Sequence, residues 1–256
     1  MSVPHFYLPA VSGVSGLYRG GYSNDRAIEF NGTTQWLSAT NVSIGVGAPA
    51  SGTLAFWVDL TDIVADPNQV MFSLNEGATG TFTVYFSSVN NRTYISGEIG
   101  VTSFLLYNAA VDLSASGFHH VAITSSGSAW TLYVDGTART LTVEDGLNSG
   151  VWFDDVNPNG DSELTIGASA GGADLFVDGI IDEMGIWNSA LTQANINSLY
   201  NAGAGVVYGV ARDIGTLLHY WSFSTNHGSM LTDKVGGVTL TNNATATDAA
   251  GVTTGP

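Results

Sequence analysis

Acidic and amide side chains crowd one short stretch of this 256-residue chain. Asp155, Asn157, Asn159, Asp161 and Glu163 offer side-chain oxygen at alternate positions, Asp154 precedes them, and Gly160 permits a sharp turn. Hard cations such as Ca²⁺ gather about six to eight oxygen ligands of this kind, so these five residues are the candidate Ca²⁺ ligands. An EF-hand-type loop would close with a glutamate where this chain has Ile166. A site here therefore needs completion from elsewhere, with Asp174 or Asp178 as candidates. The alternative is a solvated polar turn, which a chain this acidic forms readily.

Other residues invite chemical readings. Tyr85, Tyr94 and Trp152 can stack on sugar rings where they are exposed, or fill a core where they are not. His119 and His120 are adjacent on a strand-like run, so their side chains point to opposite faces and cannot share one metal ion with simple geometry. One packed and one solvated histidine is the expectation. Gly167-Ala168-Ser169-Ala170-Gly171 matches Gly-x-Ser-x-Gly, but that motif works only on a sharp turn from strand into helix. Here Gly172, Ala173 and a further strand follow, so no nucleophile is expected. The chain has no cysteine, which removes disulfides and thiolate metal sites.

Charge narrows the partners. Six basic residues stand against 22 acidic ones, for a formal charge of −16. Such a surface repels phosphate backbones and anionic lipid, so neither nucleic acid nor membrane is an expected partner. No apolar run approaches the roughly 20 residues of a membrane span. Met1 to Pro9 lacks a basic segment followed by an apolar one and does not read as a secretory signal.

The elements that must position these residues are mostly strands. Leu54, Phe56 and Val58 alternate with other residues, as do Phe82, Val84 and Phe86, and Trp130, Leu132 and Val134. Such runs with polar turns between them suit a two-sheet sandwich. Asn31-Gly32 and Asp135-Gly136 both read as tight hairpin turns, the second returning through Ala138 to Val143. One helix is expected near 192–202, with Thr192 as N-cap, Leu191 and Ile196 as a hydrophobic staple and Gly203 as its stop. Residues 1–26 read as an extended arm that packs on its own domain or on a neighbouring subunit. Residues 27–204 form the main domain. Residues 205–256 add strands that pack on that domain or on a neighbour.

Several motifs occur together in one order. Phe30-Asn31-Gly32 with Trp36 comes first, then Phe56-Trp57-Val58, then Phe118 to Ile123 ahead of Trp130 to Gly136. Leu164-Thr165-Ile166-Gly167 follows, and Asp178 to Asn188 runs into Ala190-Leu191-Thr192. Over about residues 27–203 this resembles the laminin-G-like, pentraxin-like domains of the concanavalin A-like jelly-roll superfamily. Leu217 to Asn243 is similar to the Tyr-Trp…Asp-x-x-Gly-Gly stretch that opens or precedes such a domain, although here it trails one. The resemblance implies an all-β, two-sheet antiparallel jelly-roll sandwich that binds glycans or proteins, frequently through Ca²⁺. Glycosidases of the superfamily need Glu-x-Asp-x-Glu on a strand; the nearest run here is Asp182-Glu183, whose side chains alternate in face, so no enzyme is expected. Related domains are common in bacteriophage virions. The expectation is therefore a non-enzymatic virion structural protein, a capsid decoration (cement) or adhesin subunit. Its partners would be copies of itself, other virion proteins and cell-surface glycan. The alternative is a Ca²⁺-dependent carbohydrate-binding module of a bacterial surface or secreted protein.

Overall fold

The computed structural model describes residues 26–250, apart from 43, 45–49, 62–67, 78–79, 110, 116, 157–160, 207 and 224–230. In chain order the strands are β1 (Arg26–Asn31), β2 (Trp36–Val42), β3 (Gly52–Leu60), β4 (Asn68–Asn75), β5 (Gly80–Ser87), β6 (Arg92–Ile99), β7 (Thr102–Asn108) and β8 (His119–Ser125). They continue as β9 (Trp130–Val134), β10 (Thr137–Arg139), β11 (Thr142–Asp145), β12 (Ser162–Ile166), β13 (Asp178–Trp187), β14 (Leu217–Trp221), β15 (Thr241–Asn243) and β16 (Thr247–Ala250). Sheet A runs β10-β9-β8-β3-β13-β1-β16, with β14 also paired to β13; sheet B runs β11-β7-β6-β5-β4-β12-β2-β15. The two antiparallel sheets form the expected jelly-roll sandwich.

The long strand β13 organises sheet A. β3 lines one side of it, while β1 pairs with its first half and β14 with its second half on the other side. A bulge between Asp182 and Gly185 places Glu183 at φ 49 and interrupts the alternation.

Inward-facing residues meet between the sheets. Ile28, Phe56, Val58, Phe72, Phe82, Val84, Ile95, Leu106, Val121, Leu132, Ile166 and Ile181 belong to one continuous core. A second, smaller core lies on the far side of sheet A, where Ala55, Tyr133, Trp187 and Tyr220 are covered by Leu191, Ile196, Leu199 and Ala211. Two short helices supply that cover, α2 (Gln193–Tyr200) and α3 (Tyr208–Asp213); the single turn α1 (Phe153–Val156) lies earlier in the chain. Covered on both faces, β3 is buried along almost its whole length instead of alternating.

Helix α2 starts as its sequence dictates. The Thr192 hydroxyl accepts a hydrogen bond from the Asn195 amide at 3.3 Å, and Asn195 Oδ1 accepts one from the Thr192 amide at 3.2 Å. Its end differs from expectation: Asn201, at φ 47, takes the left-handed position, and Gly203 lies in the 3₁₀ turn that follows. Asparagine tolerates that conformation well enough to stop a helix.

Two turn readings are also corrected. Asn31-Gly32 does not make a hairpin, because β1 lies in sheet A and β2 in sheet B. Asn31 Oδ1 instead accepts the amides of Thr33 and Thr34, at 3.1 and 3.0 Å, and turns the chain across the sandwich. Asp135-Gly136, at φ 52 and 71, does form the β9–β10 hairpin, but that return ends at Arg139. Thr142 and Val143 already pair with β7 in the other sheet. Near the chain's end β15 pairs with β2 and β16 with β1, so the segment crosses between sheets. Reciprocal bonds between Asn242 and Ala246, of 2.9 and 2.8 Å, hold that crossing.

Candidate functional site

Register across sheet B assembles a surface that no single stretch of sequence contains. Residues directly opposed on antiparallel strands share a face. Tyr85 of β5 opposes Tyr94 of β6, which opposes Tyr107 of β7. Because Phe82, Val84, Ile95 and Leu106 point into the core, this tyrosine row lies on the outer face. The Tyr85 and Tyr94 rings stack at 4.5 Å and 6°, and Tyr94 and Tyr107 meet at 5.7 Å and 47°.

Polar neighbours fix the rings. Asn90 Nδ2 donates to the Tyr94 hydroxyl at 2.9 Å, and Arg92 donates to it at 3.4 Å. The Arg92 guanidinium sits 3.8 Å from the centre of the Tyr107 ring, a cation–π contact, and 3.8 Å from Glu144. Burial pushes the Tyr85 hydroxyl up to about 12, with Tyr94 and Glu144 adding to the shift, so it stays a neutral donor. Tyr85 and Tyr107 are half-buried, which leaves part of each ring available to a ligand.

A second row runs beside the first. Thr241, Ser38, Thr165, Ser73, Thr83 and Ser96 oppose one another in turn across six strands, and the line continues through Leu105 of β7 to Asp145 of β11. Thr165 and Ser73 are buried, whereas Thr83 and Ser96, next to the tyrosines, are half-exposed. A third row places Glu163, Asn75, Thr81, Glu98 and Ser103 in line. Aromatic rings, hydroxyls and carboxylates thus lie side by side, with Tyr94 enclosed between its neighbours at 6% exposed and only Tyr85 and Tyr107 partly open. Such a surface can stack on one face of a ligand and hydrogen-bond its edges, but it aligns no nucleophile with a base.

The acidic stretch is placed differently. Asp155 lies in α1, where its Oδ2 accepts the Trp152 amide at 3.0 Å. Asp161 is exposed just ahead of β12, and Glu163 opposes Asn75 in the third row. Asn157 and Asn159 lie outside the described residues. Asp174 accepts the Ser169 hydroxyl, and Asp178 begins β13, its amide donating to Gln69 Oε1 at 2.9 Å. Among the described residues no group of three or more His, Asp or Glu is gathered to hold a metal ion.

Trp152 is not a surface aromatic: it is 2 % exposed and stacks on Phe153 inside the core. Arg92 and Tyr107 are the platform residues that sequence reasoning missed. The signal was there in the phase, since each alternates with a residue that points inward. Ser169 leads into a 3₁₀ turn, Ala170–Gly172, not into a helix. Asp182 and Glu183 are both buried.

The two histidines lie on opposite faces as expected, but neither is freely solvated, the His119 side chain being 16% exposed with its Nε2 buried. His120 is buried against Trp57 and near Tyr200, and burial drives it down to about 4. His119 is partly exposed and bonds through Nδ1 to Asp135 Oδ2 at 2.8 Å, while Asp135 Oδ1 accepts the His120 amide at 3.0 Å. The bond to Asp135 holds His119 above its ordinary value of 6.5, against the opposing effect of burial. For Asp135, burial acts upward, but the bonds from His119 and the His120 amide prevail and hold it below 3.8. A raised histidine stabilises the fold below its unfolded value and loses that contribution as pH rises through the folded one; a depressed aspartate does the reverse on the acid side. The clasp is therefore strongest between about pH 4 and 6.5. We expect the wild type to lose up to about 1 kcal/mol relative to H119N between pH 6 and 8. Parallel stability curves for the two proteins over that range would refute it.

The Laminin_G_3 family, described as the concanavalin A-like lectin/glucanases superfamily, matches residues 31–197. The chain belongs to this family. Other comparisons agree with the laminin-G-like fold. Residues of the domain are 25% identical over 150 residues to the rat (Rattus norvegicus) sushi, von Willebrand factor type A, EGF and pentraxin domain-containing protein 1. That match covers 57% of the chain and only 4% of the much longer relative. A heptameric SAP-like pentraxin from Limulus polyphemus superposes with a TM-score of 0.56 at 14% identity, over 90% of this chain and 96% of its own. A putative carbohydrate binding protein from Bacteroides ovatus gives 0.60 at 16%, over 89% of this chain and 60% of its own. The CBM40 of a Ruminococcus gnavus sialidase, bound to α2,3-sialyllactose, gives 0.51 at 16%, over 68% of this chain and 97% of its own. At these identities the likeness is one of fold.

Proposed function

We propose that this laminin-G-like domain is a non-catalytic glycan-binding module whose ligand lies on the tyrosine row of sheet B. The observation that carries the reading is the fixed line of Tyr85, Tyr94 and Tyr107 with half-exposed hydroxyls alongside. Sugar rings offer one apolar face and a rim of hydroxyl groups, and this surface complements both. Tyr94 is only 6% exposed, so the contact falls on Tyr85 of β5 and Tyr107 of β7. These lie two strand spacings, or about 9.6 Å, apart, a span that a short oligosaccharide laid across the strands bridges.

Charge selects the class of glycan. Arg92 is the one cation on the strands of sheet B, and it is already engaged by Tyr107 and Glu144. Glu98, Glu144, Asp145 and Glu163 stand on the same strands. Polyanionic glycans are repelled by this balance, and neutral ones are not.

Binding to neutral oligosaccharides, measured by calorimetry after a glycan-array screen, is expected to weaken about tenfold in Tyr85→Ala and again in Tyr107→Ala, at about 1–1.5 kcal/mol per ring. Tyr85→Phe keeps the stacking and loses less. Unchanged affinity in the double alanine variant would sink the platform reading. EDTA is expected to leave binding intact; its loss would instead move the site to the acidic stretch around Asp155 to Glu163 and favour a Ca²⁺-dependent module. The platform serves a virion particle and a bacterial cell surface equally; of the arm at residues 1–26 read as a docking segment, only Arg26 is among the described residues.

A further inference from the structure

A small cavity lies between sheet A and its helical cover. It measures about 10 Å³, and strands β3, β8, β13 and β14 meet α2 and α3 around it. Three of its wall residues are polar: His120, Glu183 and Tyr220, exposed by only 2, 7 and 2 %. Each carries a buried atom with no hydrogen-bond partner among the described residues, namely His120 Nδ1, Glu183 Oε2 and the Tyr220 hydroxyl. Trp57, Trp187 and Leu199 make much of the remaining wall.

We propose that this cavity is a binding site for one structural water molecule shared among His120, Glu183 and Tyr220. Buried polar groups are rarely left unpaired, and those that lack protein partners are commonly satisfied by internal water. A cavity needs roughly 10–15 Å³ and two to four polar partners to hold one water; this one has the volume and three partner residues. A sugar ring or a hydrated ion is too large for it.

Protonation favours water over a cation. Burial, reinforced by Asp182, raises Glu183 well above the ordinary carboxylate range, against the pull of Lys234. It is therefore a neutral acid that donates as well as accepts. His120, pushed down to about 4 by burial, is neutral and offers one donor and one acceptor. The phenol does the same. A metal ion would find no ionised ligand in this wall, and ammonium, which only donates, could not accept the acid proton. Water can do both.

The backbone is shaped for the site. Ile181 and Met184 both pack into the intersheet core, so strict alternation from Ile181 would send Glu183 there too. The bulge, with Glu183 in the left-handed region, turns that side chain to the helical side instead.

A high-resolution crystal structure of the full chain tests the site. The expected result is a single density peak within hydrogen-bond distance of at least two of the three residues. A dry cavity with the side chains in place would overturn the proposal, as would a peak with the short distances of a metal ion. In solution, oxygen-17 relaxation dispersion should count one fewer long-lived water in Ala211→Val, which fills the cavity wall. Should that variant fail to fold, Tyr220→Phe removes a partner without adding bulk and should shorten the residence time of that same water. An unchanged count and residence time in the folded variant would also overturn it.

Discussion

Phe82→Ala is expected to cost about 3–5 kcal/mol of folding stability. Phe82 sits within an aromatic cluster of the intersheet core. Its ring lies 5.4 Å from Phe153, 5.7 Å from Trp152, 6.3 Å from Phe104 and 6.4 Å from Trp130. Those partners come from α1 and the residue before it, from β7 and from β9, so one deletion removes contacts from three separate segments. Collapse around the hole is hindered. Gly97 already brings backbone against this cluster, and a Cβ there would stand 2.0 Å from the Thr81 carbonyl oxygen and 2.6 Å from the Phe104 ring. A chain of this size loses about 2–4 °C in Tm per kcal/mol, so a fall of roughly 10 °C is expected by calorimetry. Phe82→Leu, which leaves less space, is expected to lose less than half as much. A loss below about 1 kcal/mol for the alanine variant would show that the cluster repacks freely and that Phe82 is not its centre.

The same strand shows what sequence makes legible. In β5 the alternation of Phe82, Val84 and Phe86 with Thr81, Thr83 and Tyr85 sets which side chains face inward, whatever the partner strand. The strands and the sandwich class follow from such local pattern. Which strands pair does not. Asn31-Gly32 carries the residues of a hairpin turn, yet the chain there leaves one sheet for the other, because turn chemistry fixes the bend and distant strands fix the partner. The platform is hidden for the same reason. Tyr85, Tyr94 and Tyr107 become neighbours only through register, and Arg92 gains meaning only by lying over Tyr107. Trp152 could not be told from a surface aromatic by type, since burial depends on what packs around it. At Glu183 an extra residue in β13 overrides the alternation, and only the pairing with β3 reveals it.

Asp233→Ala is expected to cost about 3–4 kcal/mol, more than any single change in the His119–Asp135 clasp. The two clasps share one geometry. His219 Nδ1 bonds Asp233 Oδ2 at 2.7 Å, and Asp233 Oδ1 accepts the amide of Tyr220, the next residue, at 2.8 Å. Asp233 adds a third bond, from the Val235 amide at 2.9 Å. Its side chain is fully buried, where that of Asp135 is 26% exposed. Removing the carboxylate therefore leaves the amides of Tyr220 and Val235 and the His219 imidazole without their acceptor, around a position that is itself fully buried. The turn cannot easily adapt, because Gly236 lies so close that a Cβ would stand 2.4 Å from the His219 ring and 2.6 Å from Asp233 Oδ2. Asp233→Asn keeps one acceptor and is expected to lose about half as much. His219→Phe retains the stacking on Trp221, now at 5.8 Å and 9°, and loses only one bond. Because β14 pairs with β13 and β15 with β2, loosening this turn should raise amide exchange in β14 before it does so in β5 or β6. Denaturant unfolding of the three variants gives the order. A cost within about 0.5 kcal/mol for Asp233→Ala would mean that the turn is held by its backbone bonds alone, Asp233 N to Val238 O and Lys234 N to Tyr220 O.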